Sequence, residues 1–294
     1  MTEIEIRGAR LFYTERGSGE PVVFVHGGLS DYRTWAPQVE AIGERYRAIT
    51  YSRRWHWPNA PVPTGGTSHM DTHVEDLAEF ITRIGAAPAN VVGNSWGAYT
   101  SLVLARRYPA LVRSLVVEEP PVIPLFFKKG APTPGELLRA FARRPRTAAA
   151  LMRVGITTIG PVTKLFKEGE DERAMIRFVH GVVGREAYES LPEERRQQMR
   201  ANLSELAAEF RINGGFASFT DNDARAIRVP TLALTGAKSP AMFVRLSERL
   251  LELLPDARHI VIPAASHVMH EQNAPATNAA ILAFLSERRA RAAA

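Results

Sequence analysis

The chain has 294 residues, is 45% hydrophobic and contains no cysteine, which suits one globular α/β domain or such a domain with an insertion. The missing cysteine excludes a disulfide framework, a thiolate nucleophile and a cysteine-ligated metal site. The formal net charge of +6 is carried almost wholly by arginines spread along the chain, with neither a basic stripe interleaved with aromatics nor a nucleic-acid-binding module, so no nucleic-acid partner is expected.

The N-terminus lacks the basic start and apolar core of a signal peptide, and no apolar run approaches the length of a membrane span. A cytoplasmic protein without a membrane partner is therefore expected. Residues 4–13 alternate loosely and are followed by Gly17-Ser18-Gly19-Glu20-Pro21, which reads as a strand and then a turn. Pro21-Val22-Val23-Phe24-Val25 is a continuous apolar run, as a strand buried on both faces requires, and it ends in His26-Gly27-Gly28. Glycines there let the backbone approach a ligand and aim N–H groups at a developing negative charge, while His26 reads as an anchor of the loop.

A short helix is expected over residues 31–38 and a strand over 46–51. The following loop, Ser52-Arg53-Arg54-Trp55-His56-Trp57, is rich in aromatic and basic side chains. Trp55 and Trp57 are candidates to line a site, with packing under the loop as the alternative. Val74, Leu77, Ile81 and Ile84 recur at helical spacing over residues 70–84. Next comes the apolar strand that breaks into Gly93-Asn94-Ser95-Trp96-Gly97. A serine on a sharp strand-to-helix turn, with glycine two positions to either side, is the geometry a serine nucleophile needs. Near the C-terminus, residues 258–262 form a short strand and Pro263-Ala264-Ala265-Ser266 a small-residue turn leading to His267. That places a candidate general base at the sheet edge of Ser95. His270 is its competitor.

These motifs resemble the α/β-hydrolase fold superfamily in His26-Gly27-Gly28, in the Ser95 elbow, in the run through Arg106-Arg107-Tyr108-Pro109 and in Ser266-His267. The resemblance implies a mostly parallel central sheet flanked by helices, and a triad in the order Ser, acid, His. It also implies an oxyanion hole made by the N–H groups of Gly28 and Trp96. Most members carry the acid after the strand that here is residues 230–235, but Gly236-Ala237-Lys238-Ser239 holds no carboxylate. The preceding strand ends in Glu118-Glu119. The chain is similar in this to a subset that includes the haloalkane dehalogenases, with the acid after the sixth strand, and counting from the nucleophile lands on Glu119. Alternation along a strand would send only one of the pair to His267. Glu118, Asp256 and Glu271 are the alternatives. Dehalogenases attack carbon with a carboxylate, which Ser95 cannot replace well, so acyl transfer is expected instead.

Residues 121–226 read as almost wholly helical, with one stripe at Met175, Phe178, Val179 and Val182 and another at Met199, Leu203, Leu206 and Phe210. They resemble a helical cap inserted after the sixth strand, between core segments 1–120 and 227–294. Phe126 and Phe127 are candidate substrate contacts, and Leu151, Met152, Ile156 and Phe166 are further apolar candidates. Between Lys128 and Lys167 basic residues far outnumber the single acid Glu136, a face that is either solvated or able to steer an anion.

The expectation is a serine hydrolase of carboxylic esters or lactones acting on a small molecule, as a monomer or homodimer, with no metal or organic cofactor. Cleavage of a C–C bond and cofactor-free chemistry on the same residues are the alternatives among enzymes, and a hydrolase-like ligand sensor is the alternative of another class.

Overall fold

A computed structural model describes residues 1–63, 65–66, 68–127, 132–212 and 216–293. The strands are β1 (Thr2–Ile6), β2 (Ala9–Arg16), β3 (Pro21–Val25), β4 (Arg47–Tyr51), β5 (Ala89–Asn94), β6 (Val112–Glu118), β7 (Thr231–Gly236) and β8 (Ala257–Ile262). They form one eight-stranded sheet in the order β1-β2-β4-β3-β5-β6-β7-β8. Only the β1–β2 and β2–β4 pairs are antiparallel. The apolar runs follow from this position, because a central parallel strand is covered on both faces. Val23, Val25, Val91, Leu115, Val117 and Ala233 enter one core, while Val22, Phe24, Val92, Val116, Leu232 and Leu234 enter the other.

Helix α1 (Ala36–Ile42) follows a short 3-10 turn, Tyr32–Trp35, whose N-cap Asp31 accepts from the Arg33 N–H. Then come α2 (Met70–Arg83) and α3 (Trp96–Arg107). Between β6 and β7 lie α4 (Pro134–Arg143), α5 (Pro145–Val154), α6 (Gly160–Lys167), α7 (Asp171–Val182), α8 (Arg185–Glu189), α9 (Glu193–Ala201), α10 (Leu203–Ile212) and α11 (Asp221–Ala226), with a wider π turn at Gly155–Ile159. The chain ends through α12 (Ala241–Leu253), α13 (Met269–Gln272) and α14 (Ala274–Ala293). Apolar residues of α2, α3 and α12 pack on the first face, and those of α1 and α14 on the second. Among the described residues, no strand interrupts the inserted helices, and no helix is long and apolar enough to cross a membrane.

Two local readings change. Residues 4–13 are not one strand but parts of a β1–β2 hairpin, turning at Arg7 and Gly8 with φ of 48° and 72°. Such a two-residue turn usually announces itself as Asn-Gly or Asp-Gly, and arginine at its first position hides it. The stripe running from Met199 to Phe210 is divided between α9 and α10 at Asn202. There the Asn202 amide donates to Asp31 Oδ2 at 2.8 Å and its carbonyl oxygen accepts the Trp57 N–H at 2.7 Å, tying the break to the sheet edge below. Of the basic residues between Lys128 and Lys167, Lys128 and Lys129 lie outside the described residues, and Arg144 is paired with Glu252 at 2.8 Å.

Candidate active site

Strand β5 feeds α3 through a single residue, Ser95, held at φ 50° and ψ −116°. This conformation costs a non-glycine residue on the order of 1–3 kcal/mol, so its surroundings must impose it. A Cβ on Gly93 would come within 2.7 Å of the Ala98 backbone, and one on Gly97 within 2.2 Å of the Val25 carbonyl oxygen. Both glycines are therefore demanded by close packing of α3 on β5 and β3. The Ser95 N–H donates to the Glu118 carbonyl at 2.8 Å, and the Ser95 carbonyl accepts the Tyr99 N–H that starts α3.

The two glutamates at the end of β6 part company. Both side chains are fully buried, so neither is a solvated strand end. Glu118 is the last strand residue, whereas Glu119 has φ 47° and leaves the sheet. Its Oε1 accepts the Gly236 N–H at 2.9 Å, and its Oε2 lies 2.8 Å from His267 Nδ1. Gly236 sits where a family acid is usually expected to follow, and it supplies a backbone donor instead. A Cβ there would strike the Ala265 and Ser266 carbonyl oxygens at 2.5 and 2.6 Å. The loop bearing His267 thus packs directly on the end of β7. Phe243 stacks on the His267 ring at 3.8 Å, and the Asn94 amide donates to the His267 carbonyl at 3.0 Å, which keeps that loop beside the residue preceding Ser95. Among the described residues, Ser95 Oγ and His267 Nε2 are not hydrogen-bonded to each other.

Glu118 turns to the second histidine, with its Oε2 2.7 Å from His270 Nδ1 and 3.3 Å from the Asn94 amide. His270 Nε2 faces Thr34 at 3.1 Å, and Trp35 stacks on the ring at 4.2 Å. Burial alone would lower the His270 pKa, but Glu118 and Glu271 on either side push it up to about 9. His270 is therefore a buried cation rather than a general base near neutral pH. Glu271 pairs with Arg195 at 2.9 Å, and Asp256 is bound by Arg288 at the surface, so both are engaged elsewhere.

The His26-Gly27-Gly28 loop lies against the elbow: a Cβ on Gly27 would fall 2.7 Å from Asn94 Oδ1 and 3.3 Å from Ser95 Cβ, while Gly28 borders open space. Among the described residues, neither the Gly28 nor the Trp96 N–H has a hydrogen-bond acceptor. His26 holds the loop, with Nε2 accepting the Arg53 N–H at 2.9 Å and Nδ1–H donating to the Gly27 carbonyl at 2.8 Å. Burial first, and then His56 and Arg53, keep its pKa well below the ordinary value, as this neutral tautomer requires.

The aromatic candidates separate. Trp57 is 39% exposed, stacks on Tyr32 and lies under the Arg33 guanidinium at 3.9 Å. Half-buried Trp55 meets His73 edge-on at 5.5 Å. Phe126 and Phe127 follow β6 and join the first core, with Phe127 the more buried. Of the other apolar candidates, Phe166 is fully buried against Phe210, whereas Ile156 is 68% exposed. Trp96 packs its ring on Phe216.

One polar cluster went unread in the sequence. Glu205 of α10 is enclosed by Arg53, His56, His73 and Ser68, with Arg53 Nη2 at 3.1 Å. Burial would raise its pKa, yet Arg53 and the two histidines hold it well below the carboxylate range. The available signal was a glutamate inside the apolar pattern Leu203, Leu206, Phe210. Among the described residues, no group of three His, Asp or Glu side chains is arranged to hold a metal ion.

The pattern of the Alpha/beta hydrolase family matches residues 22–280. Over 285 residues the chain is 28% identical to a non-heme haloperoxidase of Rhodococcus erythropolis, covering 95% of this chain and 96% of that one. It is 30% identical to the uncharacterized hydrolase YraK of Bacillus subtilis over 122 residues, which span 42% of this chain and 45% of that protein. The enol-lactonase of Burkholderia xenovorans LB400 superposes with a TM-score of 0.74 at 18% identity, over 97% of this chain and all of that one. With the strained elbow, the sheet order and a family match that runs from β3 into α14, the chain belongs to the alpha/beta hydrolase family.

Proposed function

We propose that the chain is a serine hydrolase of carboxylic esters or lactones, with Ser95 as nucleophile, His267 as general base and then acid, and Glu119 as the orienting carboxylate. The observation that carries this reading is the Glu119–His267 contact at 2.8 Å beside the strained Ser95 elbow. With Nδ1–H given to Glu119, the imidazole keeps its Nε2 lone pair for the Ser95 proton. Ser95 Oγ then attacks the acyl carbon, and the N–H groups of Gly28 and Trp96 receive the oxyanion. Collapse expels the alcohol, which takes the proton back from His267, and water repeats the sequence on the acyl-enzyme. The helices between β6 and β7 act as a cap over the site, with Phe126 and Phe127 at its root, where the chain leaves β6. A carboxylic acyl group of small or flat apolar character suits these surroundings.

The test combines a fluorophosphonate probe with nitrophenyl esters of graded chain length, on wild type and Ser95→Ala. Labelling and turnover that vanish together in Ser95→Ala support the reading. A wild type that binds small ligands while doing neither defeats it and leaves the sensor alternative. A second reading draws on the likeness to the Rhodococcus erythropolis haloperoxidase. Hydrogen peroxide attacking the acyl-enzyme in place of water would release a peroxy acid able to oxidise halide without a cofactor. Halide oxidation that needs both peroxide and a carboxylic acid, and is lost in Ser95→Ala, would favour it.

A further inference from the structure

The loop that carries Gly28 is held from outside by side chains that take its carbonyl groups. Arg53 Nε donates to the His26 carbonyl at 3.1 Å and Arg53 Nη2 to the Gly27 carbonyl at 3.2 Å. The Leu29 carbonyl accepts from Arg195 of α9 at 3.0 Å, and the Ser30 carbonyl lies 2.7 Å from His56 Nδ1. The Arg53 side chain is wholly buried, and its own backbone carbonyl is engaged by the His56 N–H and the Asn59 amide. The far side of the guanidinium is bound by Glu205, at 3.3 and 3.1 Å, from a helix inserted between β6 and β7.

The geometry points to Arg53 as a positioning residue for the oxyanion hole, anchored by Glu205. The peptide unit between Gly27 and Gly28 carries that grip to the donor. In a trans peptide the C=O and the following N–H point in opposite directions. Fixing the Gly27 carbonyl toward Arg53 and the His26 Nδ1–H therefore fixes the Gly28 N–H away from them, on the side where it has no acceptor among the described residues. Glycine at position 28 has no side chain to hold this plane, and the loop is free to flip unless something grips the carbonyl. A planar guanidinium grips two successive carbonyls and a carboxylate at once, because its five donors fan out in fixed directions. An ammonium is a point donor on a flexible stem and cannot reproduce that fork. The claim rests on the proposed role of Gly28, and it adds that the inserted helices, through Glu205, brace the oxyanion donor.

The discriminating variant is Arg53→Lys, which keeps the charge facing Glu205 while losing the fork. Turnover of a short nitrophenyl ester should fall about 10- to 100-fold in kcat with KM changed less than about threefold, since an oxyanion donor acts on the transition state. The affinity for an alkyl trifluoromethyl ketone, which forms a tetrahedral oxyanion on Ser95, should fall by the same factor. The pH at half-maximal kcat/KM should stay put, because His267 is untouched. Glu205→Gln, which loosens the anchor without emptying the space, should lower kcat in the same direction by less, and it serves if Arg53→Lys does not fold.

Full activity in Arg53→Lys, or a loss confined to KM with analogue binding intact, would overturn the assignment. The Gly28 amide resonance in a nitrogen–proton correlation spectrum gives a readout that needs no turnover. It should shift in both variants, and an unmoved resonance also overturns the assignment. If wild-type protein hydrolyses no ester yet the Gly28 resonance shifts, the esterase reading fails and the grip on the loop stands.

Discussion

Replacing Glu119 by glutamine changes one oxygen into an NH2 group in a place where both oxygens are in use. Oε1 accepts the Gly236 N–H at 2.9 Å and Oε2 lies against His267 Nδ1 at 2.8 Å. An amide has a single oxygen to serve two donors. If that oxygen faces His267, the NH2 group opposes a buried backbone N–H, and an unsatisfied pair of donors costs about 1–3 kcal/mol. If it faces Gly236, the NH2 group donates to Nδ1, and the imidazole answers by moving its proton to Nε2, which breaks no buried bond. The second arrangement wins, and it leaves Nε2 unable to accept the Ser95 proton. A wrong tautomer at this position in a serine triad lowers kcat about ten-thousandfold, so Glu119→Gln is expected to lose about a thousandfold to ten-thousandfold, or about 4 to 5.5 kcal/mol of transition-state stabilisation. Steady-state kinetics on a nitrophenyl ester measures this, with near-ultraviolet circular dichroism to verify the fold. Glu118→Gln should stay within about tenfold of wild type in kcat, because its partner is His270. A loss of less than about tenfold in Glu119→Gln, or equal losses in both variants, refutes the reasoning.

The buried His270 cation makes stability depend on alkaline pH. Its folded-state pKa is raised to about 9 from 6.5, so its contribution is full below pH 6.5 and is lost as pH rises through 9. The shift corresponds to about 3 kcal/mol, measurable by urea unfolding at pH 6 and pH 10; His270→Gln should flatten the difference, and an unchanged slope in that variant would assign it to other groups. Gly97→Ala would drive a Cβ into the Val25 and His26 carbonyl oxygens at 2.2 and 2.5 Å. It should destabilise the protein by about 3 kcal/mol or more and abolish fluorophosphonate labelling, and a melting temperature within about 2 °C of wild type would contradict the packing described for the elbow.

The sheet was legible wherever burial on both faces wrote an unbroken apolar run, as in Val22 to Val25 and Val91-Val92. It was not legible at Arg7-Gly8, where turn geometry rests on backbone angles that arginine does not advertise. The same divide runs through the site. Ser95 and its glycines stand within five residues of one another, so a local pattern reports them. The Arg53–Glu205 contact joins residues 152 apart, and neither residue type predicts the other at that separation. What the sequence did offer was a charged residue where the apolar spacing of α10 faces inward, a sign that a buried partner must exist without saying which.

The two glutamates show how far pattern reasoning reaches before backbone geometry takes over. Alternation along an extended strand would turn one carboxylate inward and the other outward. Instead both are buried, because β6 ends at Glu118 and the next residue adopts φ 47°. That one left-handed residue directs Glu119 to the end of β7, where the Gly236 N–H and His267 Nδ1 wait as two donors for its two oxygens. Glu118 stays with the strand and meets His270, whose other side is closed by Thr34 and Glu271. The result is two histidine–carboxylate pairs built from adjacent acids and from histidines three residues apart. They differ in what the far nitrogen meets. His270 Nε2 is enclosed by polar partners, and the flanking carboxylates favour its charged form, while His267 Nε2 makes no such contact among the described residues. The same residue types at the same strand end thus build two pairs that differ in the environment of the second imidazole nitrogen, and comparing Glu119→Gln with Glu118→Gln sets that difference against activity.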